Sequence, residues 1–423
     1  MNVEREMLPT AAYAEVVGAE RVRPATPADA IDGVQPQLVV TPGNADEAAH
    51  LLRIAHSNGL RVTPRGGGAK LGWGNPPHDF DLILSTERLN RVLEHAWGDM
   101  TATVEAGCTL ARFQQALAQH NQRLALDPLW PEQATIGGIL ATNDSGSLRL
   151  RFGSLRDLLI GITIALPDGT LAKSGGKVVK NVAGYDLPKL MTGSLGTLGV
   201  IVEATFRLHP LPRATQSLSF AVPNVAQANQ FLLKILDSSL AATGVQLRVD
   251  AAARVIVDTR FEGMPAAIDA QIRQVTRLAE PLAPTPASPE VWRAAEALWS
   301  GADPALVCKV SVLPSQLGAF WQAVEQVAAA LRLAPAMVAQ ALGVGLLRLE
   351  GANKEVLLVA LDRLRSAATG LGGSLVALHC PASIKARCDV WGAGGDTLPL
   401  MRLVKKQFDP QGTLTSGRFL GGI

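Results

Sequence analysis

The stretch Ala134-Thr135-Ile136-Gly137-Gly138-Ile139-Leu140-Ala141-Thr142-Asn143-Asp144-Ser145-Gly146 is the most informative part of this sequence. It joins a Gly-Gly step to a run of small polar residues. Backbone without side-chain bulk lets a ligand come close, and hydroxyl and amide groups then hydrogen-bond to pyrophosphate or carbonyl oxygens. The residues that fit this role are Thr135, Gly137, Gly138, Thr142, Asn143, Ser145 and Gly146. The alternative is that these residues only mark ordinary turns.

A second glycine motif, Pro64-Arg65-Gly66-Gly67-Gly68-Ala69-Lys70, follows the strand-like run 61–64. Three consecutive glycines can turn successive N–H groups into one concavity that binds phosphate oxygens. A tight surface turn is the competing interpretation. A dinucleotide fingerprint starting at Gly66 would need glycine where Leu71 stands, and no P-loop is present. The motif therefore indicates neither a Rossmann NAD site nor an ATPase.

Composition places both motifs in a glycine-rich third of the chain. Twenty of the 40 glycines lie between Gly59 and Gly199, which predicts sharp turns or a bound ligand there. The 423 residues suffice for two or three domains. A net charge of +2 without a Lys/Arg block does not support nucleic-acid binding. We expect no metal site and no cluster on this chain, because the four cysteines form no CxxC pair and no histidines pair at ligand spacing.

The order of strand and helix patterns predicts an α+β fold. Residues 34–64 show a strand–helix–strand pattern, with Asn44 as the helix N-cap, and 82–119 show a second unit with Thr109 as N-cap. After Pro212, two β-α-β-β-α passes indicate an antiparallel sheet backed by helices. We expect three parts: a two-part cofactor-binding domain (1–212), an α+β cap domain on the substrate side (213–399), and a C-terminal segment (400–423) that returns to the first domain.

The motifs together carry a family resemblance. The glycine turn is followed in order by 134–146, by Arg151-Phe152-Gly153-Ser154-Leu155-Arg156-Asp157, by 184–190 (GYDLPKL) and by 193–199 (GSLGTLG). This series resembles the FAD-binding module of the vanillyl-alcohol oxidase / p-cresol methylhydroxylase flavoprotein family. More narrowly, the chain is similar to an FAD-binding component of bacterial glycolate oxidase, an enzyme of three subunits. The resemblance is strong over 34–211 and moderate over 408–412.

The resemblance implies an FAD site. The glycine turn would hold the pyrophosphate, the 134–146 stretch would continue the cradle, and the 193–200 segment would offer backbone groups. Family members with covalent FAD often carry a histidine where this chain has Ala69, so the resemblance implies non-covalent FAD. The implied cofactor-binding residues are Arg65, Gly66, Gly67, Gly68, Ala69, Lys70, Thr135, Gly137, Gly138, Thr142, Asn143, Ser145, Gly146, Gly199 and Val200.

Departures from the family pattern concern the substrate and the tail. Related D-lactate dehydrogenases carry a histidine-rich segment near the substrate, whereas this chain offers only His379 in a comparable region. The usual tail ending, Asn-Pro-Gly-Lys/Arg, is Thr415-Ser416-Gly417-Arg418 here, so we expect no flavin contact from the tail. Four more residues have either a role near the flavin or a merely solvated or packing role: Lys177, Lys180, Tyr185 and Lys189. No catalytic residue is assigned.

The resemblance implies an FAD-dependent oxidoreductase acting on CH–OH donors as part of a complex. In this hypothesis the chain is the redox subunit of a glycolate oxidase, with a second flavin subunit and an iron–sulfur subunit as partners. Two alternatives remain open: a stand-alone 2-hydroxy acid dehydrogenase, and an FAD-stabilised assembly subunit without turnover. The charged N-terminus and the lack of a long apolar run predict a cytoplasmic protein. It would reach the inner face of the membrane only through partners.

Overall fold

The computed structural model describes residues 8–176, 184–301, 304–351, 353–415 and 417–423. Three main sheets and thirteen α-helices account for most of this part of the chain. No helix among the described residues is long and apolar enough to cross a bilayer. The architecture confirms the predicted α+β class.

The first sheet is small and mixed. Its four strands run in the order β1-β2-β4-β3, with β1 antiparallel to β2 and the other pairs parallel. Two helices pack on it, and Asn44 caps the second by accepting the amide proton of Glu47 at 2.8 Å, as predicted. The elements are β1 (Val22–Pro24), β2 (Leu38–Val40), β3 (Val62–Arg65), β4 (Leu82–Ser85), α1 (Thr10–Val17) and α2 (Ala45–Ser57).

The second sheet is antiparallel, in the order β5-β6-β10-β8-β9, beside a short β7–β11 pair. Thr109 caps α3 by accepting the amide proton of Arg112, as predicted. The strands are β5 (Val92–Ala96), β6 (Thr101–Glu105), β7 (Gln122–Arg123), β8 (Leu159–Ala165), β9 (Leu171–Gly175), β10 (Val200–Arg207) and β11 (His209–Pro210). The helices are α3 (Leu110–Ala118), α4 (Ile136–Thr142), α5 (Arg149–Phe152), α6 (Leu155–Leu158) and α7 (Leu187–Met191).

The third sheet contains every strand from β12 to β19, and we call this sheet with its helices the cap domain. Its eight antiparallel strands run in the order β15-β12-β14-β13-β17-β18-β16-β19. The strands are β12 (Ala214–Val222), β13 (Gly244–Val249), β14 (Val255–Gly263), β15 (Pro284–Pro286), β16 (Ala305–Ser311), β17 (Ala334–Gln340), β18 (Val344–Glu350) and β19 (Ser374–His379). The helices are α8 (Val225–Leu236), α9 (Pro265–Ala279), α10 (Leu317–Leu331) and α11 (Lys354–Gly370). They bury one apolar face in a single large core.

After β19 the chain forms α12 (Ala382–Lys385) and α13 (Leu398–Phe408), and α13 leads into the C-terminal segment. Beyond α13 the chain returns to the first sheet, where the amide of Val62 donates to the carbonyl of Thr413 at 2.7 Å. Leu414 is buried in the core that α1, α2 and the first sheet share with Val200 and Val202 of β10. The tail thereby joins the two smaller sheets at the place where the glycine-rich segments meet.

Candidate functional site

A cleft of about 110 Å³ lies between the glycine turn, α4 and the segment before β10. It gathers twelve of the fifteen residues implied by the sequence. These are Arg65, Gly66, Gly67, Gly68, Ala69, Lys70, Thr135, Gly137, Gly138, Thr142, Gly199 and Val200. We call this the cofactor cleft. No acidic side chain, and no histidine, cysteine or tyrosine, lines it within the described part of the chain.

The glycine turn is shaped by contact with the segment that precedes α4. A Cβ on Gly67 would lie 1.9 Å from the carbonyl oxygen of Gln133, and a Cβ on Gly66 would lie 2.0 Å from the hydroxyl of Thr135. Gly68 instead adopts a φ of +75°, which favours glycine. Gly66 and Gly67 are therefore required by the close approach of the turn to the segment before α4, independently of any ligand.

Helix α4 presents its first turn to the cofactor cleft. Thr135 caps the helix by accepting the amide proton of Gly138 at 3.3 Å. The amide of Gly137 donates to the carbonyl of Ala106 at 2.7 Å, and a Cβ at Gly137 would lie 3.0 Å from that of Ala106. The Thr142 hydroxyl donates to the Gly138 carbonyl at 2.7 Å. Toward a ligand, Thr142 therefore offers lone pairs rather than its proton.

Two carboxylates hold the cationic side chains of the glycine turn. Arg65 donates to buried Asp29 at 2.7 Å. A hydrogen bond from Arg23, supplemented by those from Thr26 and Arg65, holds the pKa of Asp29 well below its ordinary value. Lys70 forms a buried ion pair with Asp144 at 2.7 Å. The charge of Lys70 is thus neutralised within the chain, and the pair fastens the glycine turn to the stretch after α4.

The tail contributes a side chain that the sequence analysis missed. Buried Arg418 lines the cofactor cleft and donates to the carbonyls of Leu71 and Trp73. Its Nε has no hydrogen-bond partner among the described residues, and burial lowers its pKa to about 10. The structure thus brings one tail residue to the cleft, whereas the expectation concerned contact between the tail and the flavin itself. The detectable signal was the arginine itself, which stands where the family ending has Lys or Arg.

The residues of the cleft fit an anionic dinucleotide. The turn supplies backbone amides, Thr135 supplies a hydroxyl, and Arg418 adds a buried guanidinium to a lining free of described carboxylates. A diphosphate needs this combination of donors and positive charge. Ala69 gives the lining no nucleophile at the position where the covalent family members carry histidine.

A second cavity of about 370 Å³ lies between the stretch after α4 and the cap sheet. It adjoins the cofactor cleft across the Lys70–Asp144 ion pair. Ser145 and Gly146 line this second cavity and not the cofactor cleft. Asn143 lines neither, because it ends α4 with a φ of 48° and turns the chain away. These three sequence-implied residues are therefore separated from the other twelve.

Buried charges characterise the second cavity. Lys309 of β16 lies 3.5 Å from the carbonyl oxygen of Asn143, and burial lowers the pKa of its ammonium group. Burial also raises the pKa of Asp127, which accepts hydrogen bonds from Ser147 at 2.7 Å and from the amide of Leu148 at 3.0 Å. A lysine in a low-dielectric cavity is suited to binding a small carboxylate. We call this the cap cavity.

The remaining candidate residues lie elsewhere. His379 is exposed at the end of β19 and lines neither cavity, and Tyr185 is almost fully exposed. Lys189 pairs with Asp186 at 2.6 Å on the surface. Lys177 and Lys180 lie outside the described residues. No group of three metal-ligating side chains occurs among the residues that the structure describes.

Comparisons with known families match two successive parts of the chain. Residues 36–175 match an FAD binding domain, and residues 211–419 match the C-terminal domain of FAD linked oxidases. The glycolate oxidase subunit GlcD of Bacillus subtilis (strain 168) is 32% identical over 235 residues, which are 56% of this chain and 50% of that protein. The D-lactate dehydrogenase of Archaeoglobus fulgidus is 35% identical over 198 residues, 47% of this chain and 44% of that protein. The aligned part spans about half the length of these relatives.

Solved structures share the fold at low sequence identity. The structure of p-cresol methylhydroxylase with substrate bound has a TM-score of 0.78 at 14% identity, covering 97% of this chain and 95% of that chain. An alkyldihydroxyacetonephosphate synthase has a TM-score of 0.71 at 19% identity, covering 91% and 78%. These likenesses extend through both the glycine-rich domain and the cap domain.

Proposed function

The chain belongs to the FAD-linked oxidoreductases with a p-cresol methylhydroxylase-type fold, and from that premise we propose that it is the FAD-binding redox subunit of a glycolate oxidase-type complex. The complex would oxidise a 2-hydroxy acid to the 2-oxo acid. This subunit would pass the electrons to an iron–sulfur partner, beside a second flavin subunit.

The observation that carries the proposal is the pairing of the two cavities. The cofactor cleft offers backbone amides, the Thr135 hydroxyl and guanidinium groups, and the cap cavity beside it holds Lys309. Bound FAD supplies the acceptor for the two electrons of the oxidation. Backbone amides of the glycine turn and the side chain of Arg65 would bind the pyrophosphate. Since Ala69 offers no nucleophile, the cofactor would be held non-covalently.

Within the cap cavity, Lys309 would bind and orient the substrate carboxylate. Asp127 would hold a proton more readily than an exposed carboxyl, because burial raises its pKa. The sheet on one side and the α4 stretch on the other would exclude water from this space. These residues also favour a second candidate, a stand-alone 2-hydroxy acid dehydrogenase, since the cavity contains its own cation for a carboxylate.

Anaerobic addition of glycolate to the purified chain separates the candidates. In the proposed complex subunit, the visible absorbance of the oxidised flavin persists with the chain alone and bleaches once the partner subunits are added. Bleaching of the chain alone would favour the stand-alone dehydrogenase. A flavin that stays oxidised under both conditions would indicate an assembly subunit without turnover. Lys309→Met is the control that removes the carboxylate-binding cation from the cap cavity.

A further inference from the structure

Helix α13 exposes an apolar face on the surface of the FAD domain. None of its eleven residues is fully buried. Leu400 and Leu403 are 64% and 65% exposed, and their spacing places them side by side on the helix. Their exposure is high for leucines within a regular helix, where apolar side chains usually face the core. A partner covering this face would bury both leucines.

A surface cavity of about 290 Å³ continues the apolar face of α13. Leu400 and Val404 of α13 line it on one side, and Leu190, Leu198 and Phe419 line it elsewhere. The cavity and the two leucines together form what we call the tail-helix surface. A cavity of this size beside exposed leucines can receive one large apolar side chain from a partner.

The tail-helix surface lies directly behind the cofactor cleft. Residues 192–199 form a wall between them, with Leu195, Gly196 and Gly199 on the cleft side and Thr197 and Leu198 on the outer side. A single stretch of backbone thus separates a cofactor in the cleft from a molecule bound at the surface.

Helix α13 is anchored to this wall by Lys405, whose side chain is 12% exposed. Lys405 donates to the carbonyl of Thr197 at 2.8 Å, to Asp409 at 2.5 Å and to the carbonyl of Leu414 at 2.9 Å. On the other side, Arg156 donates to the carbonyl of Thr192 at 3.3 Å. The helix, wall and tail therefore form one connected unit rather than a loosely attached segment.

The side chains around the tail-helix surface are mainly cationic. Arg156 and Lys189 line the surface cavity, and Arg402 and Lys406 are exposed on α13. Lys189 pairs with Asp186. Neither Arg402 nor Lys406 has a carboxylate within ion-pairing distance in the described part of the chain. An apolar centre with a positively charged rim complements a partner that presents an apolar side chain ringed by carboxylates.

We propose that the tail-helix surface is the docking site for an acidic iron–sulfur protein that receives electrons from FAD bound behind residues 192–199. This inference rests on the proposed function for its electron source. Each two-electron reoxidation of the flavin reduces two one-electron iron–sulfur centres, and the protons are released to water. The surface fits this occupant because it combines proximity to the cleft with apolar contact and cationic steering.

The test uses the FAD-loaded full chain, photoreduced without any hydroxy acid, and a recombinant iron–sulfur subunit of the bacterial glycolate oxidase type. Sedimentation velocity gives the Kd, and stopped-flow absorbance gives the rate of flavin reoxidation by that partner. The variants are Leu400→Glu/Leu403→Glu and Arg402→Glu/Lys406→Glu. The matched control is Leu313→Glu, because Leu313 is 62% exposed but lies in the cap domain. A neutral quinone serves as a small acceptor that needs no docking.

The double leucine variant should bind the iron–sulfur partner at least 100-fold more weakly and lose rapid reoxidation by it. The charge variant should lower the association rate about tenfold and flatten its salt dependence. All variants should keep their FAD and react with the quinone as the wild type does, and the Leu313 control should behave as wild type throughout.

Three results would overturn the docking proposal: no binding by the wild-type chain, unchanged binding by the double leucine variant, or a homodimer of this chain that this variant dissolves. If unchanged binding accompanies glycolate-dependent reduction of the complex, the docking surface is wrong while the proposed function survives. If docking behaves as expected but no hydroxy acid reduces the flavin, the proposed substrate fails alone. The charge variant keeps the test valid if the leucine variant folds poorly.

Discussion

Replacement of Gly67 by alanine probes the contact that shapes the cofactor cleft. The new Cβ would lie 1.9 Å from the Gln133 carbonyl oxygen and 3.0 Å from its carbon. Both atoms belong to the backbone and cannot rotate away. The glycine turn or the segment before α4 must therefore move by more than about 1 Å to restore an ordinary van der Waals separation. Overpacking of this kind costs about 1–3 kcal/mol. Because both displaced segments line the cleft, we expect FAD affinity to fall about tenfold to a hundredfold.

Two glycines of the same region supply matched controls. A Cβ at Gly72 meets no described atom within 4 Å, and Gly72 has no positive φ, so Gly72→Ala should leave FAD binding and stability unchanged. Gly68→Ala meets no close atom of the described residues but must adopt a φ of +75°, so it should cost only backbone strain of about 1–2 kcal/mol. FAD titration followed by flavin fluorescence, together with urea unfolding, measures both effects. Equal FAD affinity and equal stability for Gly67→Ala and Gly72→Ala would refute the contact argument.

Three further predictions concern buried charges. Asp144→Asn should lower the free energy of unfolding by about 3–5 kcal/mol, because it leaves Lys70 buried without its counter-charge. Urea unfolding measures this loss. A loss below about 1 kcal/mol, which is what a solvent-exposed ion pair contributes, would contradict the prediction. Burial holds the pKa of His209 below its ordinary value, so the unfolded chain takes up its proton first and stability declines as pH falls below about 6.5. His209→Gln should make unfolding less dependent on pH in that range, and an unchanged pH profile would exclude this cause. Lys309→Met should weaken binding of a small carboxylate such as oxalate to the FAD-loaded protein. In the wild type, oxalate binding should decline as pH rises through the lowered pKa of Lys309. Spectral titration of the flavin with oxalate measures both effects, and equal oxalate affinity in the two proteins would rule out Lys309 as the anion site.

Local signals in the sequence predicted much of the fold. Asn44 and Thr109 cap their helices because a short polar side chain before an apolar repeat satisfies a free amide in any tertiary context. The repeated strand and helix pattern after Pro212 likewise predicted an antiparallel sheet backed by helices, in which β13–β14 and β17–β18 pair as consecutive strands. Such features depend on residues a few positions apart.

The candidate site depended on contacts that local signals do not contain. Arg418 reaches the cofactor cleft only because the tail returns to β3, over 300 residues away in sequence. Asn143 was assigned to the cradle by its residue type, but its left-handed backbone directs the chain toward the cap cavity instead. Lys309 was not singled out, because a lysine in a strand gives no sign of burial until the cap sheet packs over the FAD domain.

Several residues expected to bind the pyrophosphate instead hold parts of the protein together. Lys70, expected beside the pyrophosphate, is neutralised by Asp144. Gly66 and Gly67 are needed for the approach of the segment before α4. A motif can therefore locate a cofactor cleft correctly while its individual residues serve the architecture that forms it.

The central claim is that this chain holds FAD non-covalently in the cofactor cleft, and acid precipitation of the purified protein tests it most directly. We expect a yellow protein whose flavin is released quantitatively into the supernatant as FAD, whereas Gly67→Ala purified in parallel retains a smaller fraction of its FAD. A wild-type protein that binds no flavin even with excess FAD, or flavin that stays with the precipitated chain, would contradict this claim.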